Sequence, residues 1–144
     1  MHIAVEIGKS HQRIYNEDCV AGMSRHLDPR SVDVVGTSPP YNLGTSYSGY
    51  DDTIPREQYL DWLENWAHTV HHVLSDKGSV FLNIGAKPSD PSVPFQVLAR
   101  MQKYFDLQNV IHSVKSITIQ KEDVGAYPNL TGNIGVGHFK PITS

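Results

Sequence analysis

The chain has 144 residues, of which 39% are hydrophobic and 19% charged, and its formal net charge is −3. This length and composition indicate one globular domain rather than a disordered segment. The negative charge argues against a protein that coats nucleic acid non-specifically, although local contacts with DNA remain open. No apolar run is long enough for a membrane span, and the single cysteine, Cys19, excludes an internal disulfide. We therefore expect a cytoplasmic protein with no membrane partner.

The first half of the chain predicts a strand, a short helix and a second strand that leads into a turn. Residues 13–16 are typical of a short strand, and residues 20–27 of a helix that stops at Asp28-Pro29. Residues 31–37 form an apolar run of the kind that is buried in a parallel sheet. Residues 43–53, rich in Gly, Ser, Tyr and Asp, predict a long loop, which in a compact domain is usually functional or disordered.

The second half alternates helices and strands. An apolar stripe predicts a long helix that begins at Pro55 with Thr53 as its cap and ends at residues 76–78. A strand at 79–84, a helix at 94–104 and, within 107–119, a longer strand or a strand pair follow. This alternation predicts an α/β fold, a partial doubly wound and mainly parallel sheet with helices on both faces, formed by residues 1–144 as a single domain. Ligands bind outside the carboxyl ends of such strands, so the residues after position 37 are candidates for a binding site.

A stiff, polar turn stands at that point. Ser38, Pro39, Pro40 and Tyr41 follow the apolar strand directly. Two successive prolines remove two backbone donors and fix two φ angles, so nearby carbonyl groups have few partners. A hydroxyl precedes this segment and an aromatic ring follows it. The arrangement suits a site that accepts hydrogen bonds from a flat ligand and stacks on its face, although an ordinary rigid turn would have the same composition.

Together these segments resemble the amino-group DNA methyltransferases, which transfer a methyl group from S-adenosylmethionine to the exocyclic nitrogen of adenine or cytosine. The resemblance runs from about residue 13 to the end and is carried by IYNEDC at 14–19, SVDVVGTSPPYN at 31–42 and GSVFLNIG at 78–85. The chain resembles those members of the family in which the catalytic half precedes the cofactor-binding half. The resemblance implies an incomplete Rossmann-like methyltransferase fold.

The resemblance implies catalytic roles for Ser38, Pro39, Pro40 and Tyr41. The Ser38 hydroxyl and the Pro39 carbonyl would accept hydrogen bonds from the two N–H groups as the amino nitrogen becomes pyramidal, with the diproline holding both acceptors in place. Tyr41 would stack on a base flipped out of double-stranded DNA. Adenine-specific members commonly begin this motif with Asp and cytosine-N4 members with Ser. Thr37-Ser38 therefore favours N4 of cytosine over N6 of adenine.

The same resemblance implies that Asp18 and Thr37 bind S-adenosylmethionine, with Asp18 near the adenosine end. A local interpretation of Asp18 is equally open, because Asp is a favoured cap for the helix that follows it. Tyr47 and Tyr50 in the long loop could close over the flipped base or the DNA backbone, or could belong to a disordered surface loop. Asp51-Asp52 is expected to face away from DNA, since it would repel phosphate.

Other candidate features favour packing over function. His68, His71 and His72 have a helical spacing at which two histidines can share a metal ion, but no acidic or cysteine partner is fixed by the sequence. We predict no metal site. Trp62 and Trp66 are interpreted as packing residues, and Cys19 as a small buried filler.

The sequence departs from the resembling family near its end. Complete members continue into a target-recognition region and a Phe-x-Gly-x-Gly loop that holds the methionine part of the cofactor. The Gly132, Gly135 and Gly137 segment is not interpreted as that loop, because no apolar strand ending in an acidic residue precedes it. We therefore expect a truncated catalytic half with weak cofactor binding, and an exposed strand edge that pairs with a missing C-terminal half or with itself. A non-catalytic remnant that binds DNA or a protein partner is the alternative from another class.

Overall fold

The computed structural model describes residues 2–7, 10–44, 49, 51–87, 89–112 and 136–142. Its elements are β1 (His2–Ile7), β2 (Ser10–Tyr15), α1 (Cys19–His26), β3 (Val32–Thr37), α2 (Arg56–Val73), β4 (Leu74–Asn83), α3 (Val93–Met101), β5 (Phe105–Ile111) and β6 (Val136–Pro141). β1 and β2 pair antiparallel as a separate two-stranded sheet. The remaining strands form one four-stranded sheet in the order β3-β4-β6-β5.

The four-stranded sheet confirms the α/β class but is mixed. β3 and β4 pair in parallel, whereas β6 lies between β4 and β5 and runs antiparallel to both. β3, β4 and β5 consequently point in one direction, as expected, but only the β3–β4 pairing within this sheet is parallel. The pairing is mixed rather than mainly parallel because β6, which the sequence pattern does not indicate as a strand, lies between β4 and β5.

The helices of the described residues form one layer. α1 packs against α2, and α2 packs against α3. The connections β3–α2–β4 and β4–α3–β5 cross the sheet in the same sense, so right-handed crossovers put both helices on the same face. The predicted helices on the second face are not found in the described part of the chain, and Val34 on β3 is 63% exposed. No described helix is both long and apolar enough to span a bilayer.

The core lies between α2, α3 and the sheet. The core includes Val80 and Leu82 of β4, Phe105 of β5 and Phe139 of β6. The apolar stripe predicted for the long helix is buried among them, and its members are Leu60, Leu63, Ala67 and Val70 on α2 and Leu74 at the start of β4. At the edge of this core, Arg100 of α3 donates hydrogen bonds to Glu57, Asp61 and Glu64 of α2. These contacts join α3 to α2 at the surface of the helix layer.

Both ends of α2 differ from the prediction. Its cap position is Pro55, while Thr53 bonds to Asp51 instead. The helix ends at Val73, and residues 76–78 belong to β4. Gly78 was expected to terminate the helix, but it serves close packing: an added Cβ would lie 2.6 Å from Leu74 Cγ.

Candidate active site

The carboxyl ends of β3 and β4 bring the polar turn together with a residue from the next strand. Thr37 pairs with Leu82, so Ser38, which follows β3, lies beside Asn83, the last residue of β4. This follows from the parallel pairing of β3 and β4, because parallel neighbours end at the same edge of a sheet. We name the group formed by residues 38–43 with Asp52 and Asn83 the SPPY corner.

Three side chains of the SPPY corner form a hydrogen-bond network. Ser38 Oγ lies 2.6 Å from Tyr41 Oη, and Asn83 Nδ2 donates to Tyr41 Oη over 2.9 Å. A longer contact of 3.4 Å joins Asn83 Nδ2 to Ser38 Oγ. Ser38 is exposed, whereas Tyr41 is half-buried and packs partly against the core. The serine hydroxyl is therefore accessible to a ligand, while the tyrosine is anchored at both its ring and its hydroxyl.

A buried carboxylate supports the backbone of the corner. Asp52 is 2% exposed, and its Oδ1 and Oδ2 accept the N–H groups of Asn42 at 2.8 Å and Leu43 at 3.0 Å. The Asp52 carbonyl also accepts the N–H of Gly44 over 3.0 Å. Asn42 and Gly44 have φ angles of 56° and 72°, a left-handed region that costs a non-glycine residue energy and therefore needs support. Asp52 therefore fixes this turn. The sequence predicts only that the Asp51-Asp52 end of the loop faces away from DNA, and it does not predict this supporting role.

Asp18 lies in a different setting. It is the N-cap of α1, and its Oδ1 accepts the N–H of Ala21 over 2.9 Å, so the local interpretation of this residue is confirmed. It also borders a cavity of about 220 Å³. The cavity is lined by Tyr15, Glu17, Asp18, Cys19, Gly22, Met23, His26 and Leu27, none of which belongs to the SPPY corner. The predicted cofactor residues Asp18 and Thr37 are thus found in a cavity wall and at the end of β3, respectively.

Local contacts also organise the rim of this cavity. Glu17 pairs with both Arg25 and His26, and the His26 ring stacks on Tyr15 with centroids 4.2 Å apart. Cys19, expected to be buried, is exposed at the start of α1. Partial burial of the sulfur and the neighbouring Asp18 charge raise the pKa of the Cys19 thiol. The thiol is consequently a poor nucleophile at neutral pH.

The other sequence candidates pack into the fold or fall outside its described part. Within the described residues, no group of three or more His, Cys, Asp or Glu side chains could hold a metal ion. His68 and His71 instead contact the ring of Tyr104, and Trp66 is buried in the core, as its packing interpretation predicted. Tyr47, Tyr50, Gly132 and Gly135 lie outside the described residues, while Gly137 is part of β6.

Asn83 and Asp52 are the site residues that sequence reasoning missed. Asn83 stands at the end of an apolar strand, as Ser38 does, and that shared position was the available signal. Asp52 stood in a loop whose polar composition suggested exposure, and nothing in its neighbours indicated burial. Both residues meet the turn only through tertiary structure.

Comparison with known families now identifies the class of protein. The family model described as DNA methylase, of the N6/N4 type, matches residues 32–137. This match spans most of the chain, including the SPPY corner, and the chain belongs to this family. Family membership bears out the resemblance that the sequence carries and supports S-adenosylmethionine as the methyl donor.

Individual relatives are similar over parts of their length. The type II methyltransferase M.MjaVI of Methanocaldococcus jannaschii is 47% identical over 58 residues, which are 40% of this chain and 30% of that protein. The DNA adenine methyltransferase YhdJ of Escherichia coli is 26% identical over 114 residues, 78% of this chain and 37% of that protein. The fold is similar to that of the PvuII DNA methyltransferase (cytosine-N4-specific), with a TM-score of 0.62 and 23% identity over 88% of this chain and 48% of that one. The chain thus spans about half or less of the length of these proteins.

Proposed function

We propose that this chain supplies the catalytic half of a site-specific DNA methyltransferase that transfers a methyl group from S-adenosylmethionine to N4 of cytosine. The observation that carries the proposal is the SPPY corner, where an exposed serine hydroxyl stands at the carboxyl end of a strand beside a fixed diproline turn. The serine in the first position of the motif favours cytosine. The similarity to YhdJ keeps N6 of adenine as the alternative target.

The chemistry of methyl transfer explains what the corner would do. An exocyclic amino group is a weak nucleophile because its lone pair is delocalised into the ring. Acceptors aimed at its two N–H groups favour the pyramidal nitrogen that can attack the methyl group, and they help to remove the proton. Ser38 Oγ and the Pro39 carbonyl would be those acceptors, and each well-placed group of this kind is worth about 10²–10³ in rate. Pro40 would hold both in position by fixing the backbone.

Tyr41 would bind the flipped base with its ring. Base–aromatic stacking contributes about 1–3 kcal/mol per base, and a flipped base needs such a surface because it has left the duplex stack. The anchoring of Tyr41 by Ser38 and Asn83 supports this role, since a preorganised ring loses little freedom when the base arrives. The partner is accordingly double-stranded DNA, and a protein that modifies DNA is expected in the cytoplasm.

The cavity at Asp18 suits the adenosine part of the cofactor. Tyr15, Met23 and Leu27 supply apolar and aromatic walls for a flat heterocycle. The Asp18 carboxylate could accept a hydrogen bond from an amino group or a ribose hydroxyl, because the helix cap engages only its Oδ1 among the contacts of the described residues. Thr37, half-buried at the end of β3, is proposed as the second cofactor residue.

Methyl incorporation from labelled S-adenosylmethionine tests the proposal. Purified chain is incubated for hours with excess unmethylated DNA, and the digested nucleosides are separated by mass spectrometry. The rate is expected to be slow, because the chain spans 48% of the PvuII enzyme. N4-methylcytosine is the expected product. Detection of N6-methyladenine instead would show that the target is N6 of adenine.

Ser38→Ala tests the residue that carries the proposal. Incorporation is expected to fall about 10²–10³-fold, because one acceptor for the reacting amino group is lost. Ser24→Ala is the matched control, since Ser24 is also exposed and its hydroxyl bonds only to a helix carbonyl among the described contacts. Equal rates in the two variants would contradict the assignment of Ser38. Incorporation by neither variant nor wild type would favour a non-catalytic remnant.

A further inference from the structure

The side chain of Asn83 contacts both hydroxyl groups of the SPPY corner. Its Nδ2 lies 2.9 Å from Tyr41 Oη and 3.4 Å from Ser38 Oγ, while the two oxygens are 2.6 Å apart. We propose that Asn83 is a positioning residue, which acts through Tyr41 to hold the Ser38 oxygen ready to accept a hydrogen bond from the target amino group. This inference rests on the proposed function and deepens it.

The Asn83 donor favours one direction for the network. An amide nitrogen offers two N–H donors and no acceptor, so Asn83 donates to Tyr41 Oη. An oxygen that accepts a hydrogen bond becomes a stronger donor through its own O–H, because successive hydrogen bonds polarise one another. Either hydroxyl could donate across the 2.6 Å contact, and this polarisation favours Tyr41 as the donor, which gives the order Asn83 to Tyr41 to Ser38.

This direction leaves one acceptor site on the serine open. A hydroxyl oxygen can accept two hydrogen bonds, and Tyr41 occupies one of them. The contact with Asn83 at 3.4 Å is too long to compete effectively for the other. The Ser38 proton must then point away from Tyr41. Without the Asn83 donor, the bond between Ser38 and Tyr41 can reverse and the serine loses its fixed orientation.

The position of Asn83 in the fold makes this arrangement rigid. It is the last residue of β4, one place beyond the Leu82 that pairs with Thr37. Its backbone is held within the sheet, because the preceding Leu82 pairs with β3 and Asn83 itself pairs antiparallel with Val136 of β6, and not by the loop that follows. A donor on a rigid strand constrains the hydroxyl pair more closely than a donor on a loop would.

Nuclear magnetic resonance of the chain tests the network without requiring activity. In protein labelled with ¹³C at tyrosine Cζ, the Tyr41 signal is identified by its loss in Tyr41→Phe. Asn83→Asp, which replaces the donor by an acceptor of the same shape, and Asn83→Ala are each expected to shift that signal. Asn109→Asp, the same substitution at an exposed position on β5, is expected to leave it in place. A Tyr41 signal that is unmoved in folded Asn83 variants would overturn the proposal.

A second measurement covers variants that fail to fold. In uniformly ¹⁵N-labelled wild-type chain, the side-chain amide signals of Asn83 are compared with those in Tyr41→Phe, which removes the accepting oxygen and keeps the ring. A shift of the Asn83 amide supports the network. An unchanged amide signal overturns it.

Methyl transfer distinguishes positioning from a merely structural role. Asn83→Asp is expected to lower kcat about 10²-fold through misplacement of the acceptor, with KM for S-adenosylmethionine unchanged and Asn109→Asp equal to wild type. A shifted Tyr41 signal with normal kcat would overturn the positioning role. Absence of transfer by wild-type chain counts against the proposed function instead, and the resonance measurements then decide the network on their own.

Discussion

The SPPY corner and the Asp18 cavity are both candidate binding regions, but they are built by contacts of different range. In the corner, Asn83 reaches Tyr41 across 42 positions of sequence, and Asp52 reaches Asn42 across 10. At the cavity, Asp18 bonds Ala21 three positions away, and Glu17 pairs with Arg25 eight positions away. The corner therefore exists only when the sheet has formed, whereas the cavity rim depends mainly on one short helix.

Of the substitutions that test this contrast, Asp52→Asn is expected to have the largest effect on stability. The substitution replaces a buried acceptor of two backbone N–H groups by an amide whose own N–H₂ faces one of them. The free energy of unfolding is expected to fall by about 2 kcal/mol, measured by urea denaturation. Asp51→Asn, at the neighbouring exposed position, is the control and is expected to change stability little. Equal small effects would mean that the corner does not depend on Asp52.

Asp18→Ala is expected to cost less, since it removes one cap from an exposed helix. The expected loss is about 1 kcal/mol in urea denaturation, with reduced helical signal in circular dichroism. Asp18→Asn should retain most of this stability, because Asn is also a good cap, and Asp28→Ala beyond the helix end serves as a second reference. A loss for Asp18→Ala larger than that for Asp52→Asn would reverse the comparison of the two regions.

The smallest expected effect concerns the reactivity of Cys19. Because burial and the Asp18 charge raise the pKa of this thiol, its thiolate fraction at pH 7.5 is smaller than that of a free thiol. Alkylation by iodoacetamide, followed by mass spectrometry, should be slower than that of free cysteine and should accelerate at higher pH. Asp18→Asn should speed the reaction by removing the charge. Alkylation as fast as that of free cysteine would show that the cavity rim does not shield the sulfur.

The range of these contacts also explains what the sequence could predict. The cap role of Asp18 was visible because its partner lies within the same turn of chain, and the stripe on α2 was visible because helical periodicity is local. Ser38, Pro39, Pro40 and Tyr41 were found because they are adjacent. Asn83 and Asp52 could not be assigned, since their partners are defined by the register of β3 against β4 and by the burial of the loop end.

The placement of β6 was the largest gap in the fold prediction. Alternating strands and helices predicted β3, β4 and β5 in order, and the structure confirms their common direction. Nothing local indicates that a strand at 136–141 inserts between β4 and β5 with opposite direction. In the observed register Phe81 lies opposite His138, and the two rings stack with centroids 4.6 Å apart. Sequence periodicity does not predict this pairing, because it depends on tertiary structure.

The interior place of β6 has a consequence for synthesis of the chain. A nascent polypeptide that has emerged only as far as β5 can pair β3 with β4, but it has no strand to bridge β4 and β5. The edges of β4 and β5 that pair with β6 lack that partner until residues 136–141 leave the ribosome, and unpaired edges favour association with other chains. Ribosome-bound intermediates stalled before position 136 should therefore bind holding chaperones more strongly than those released after it.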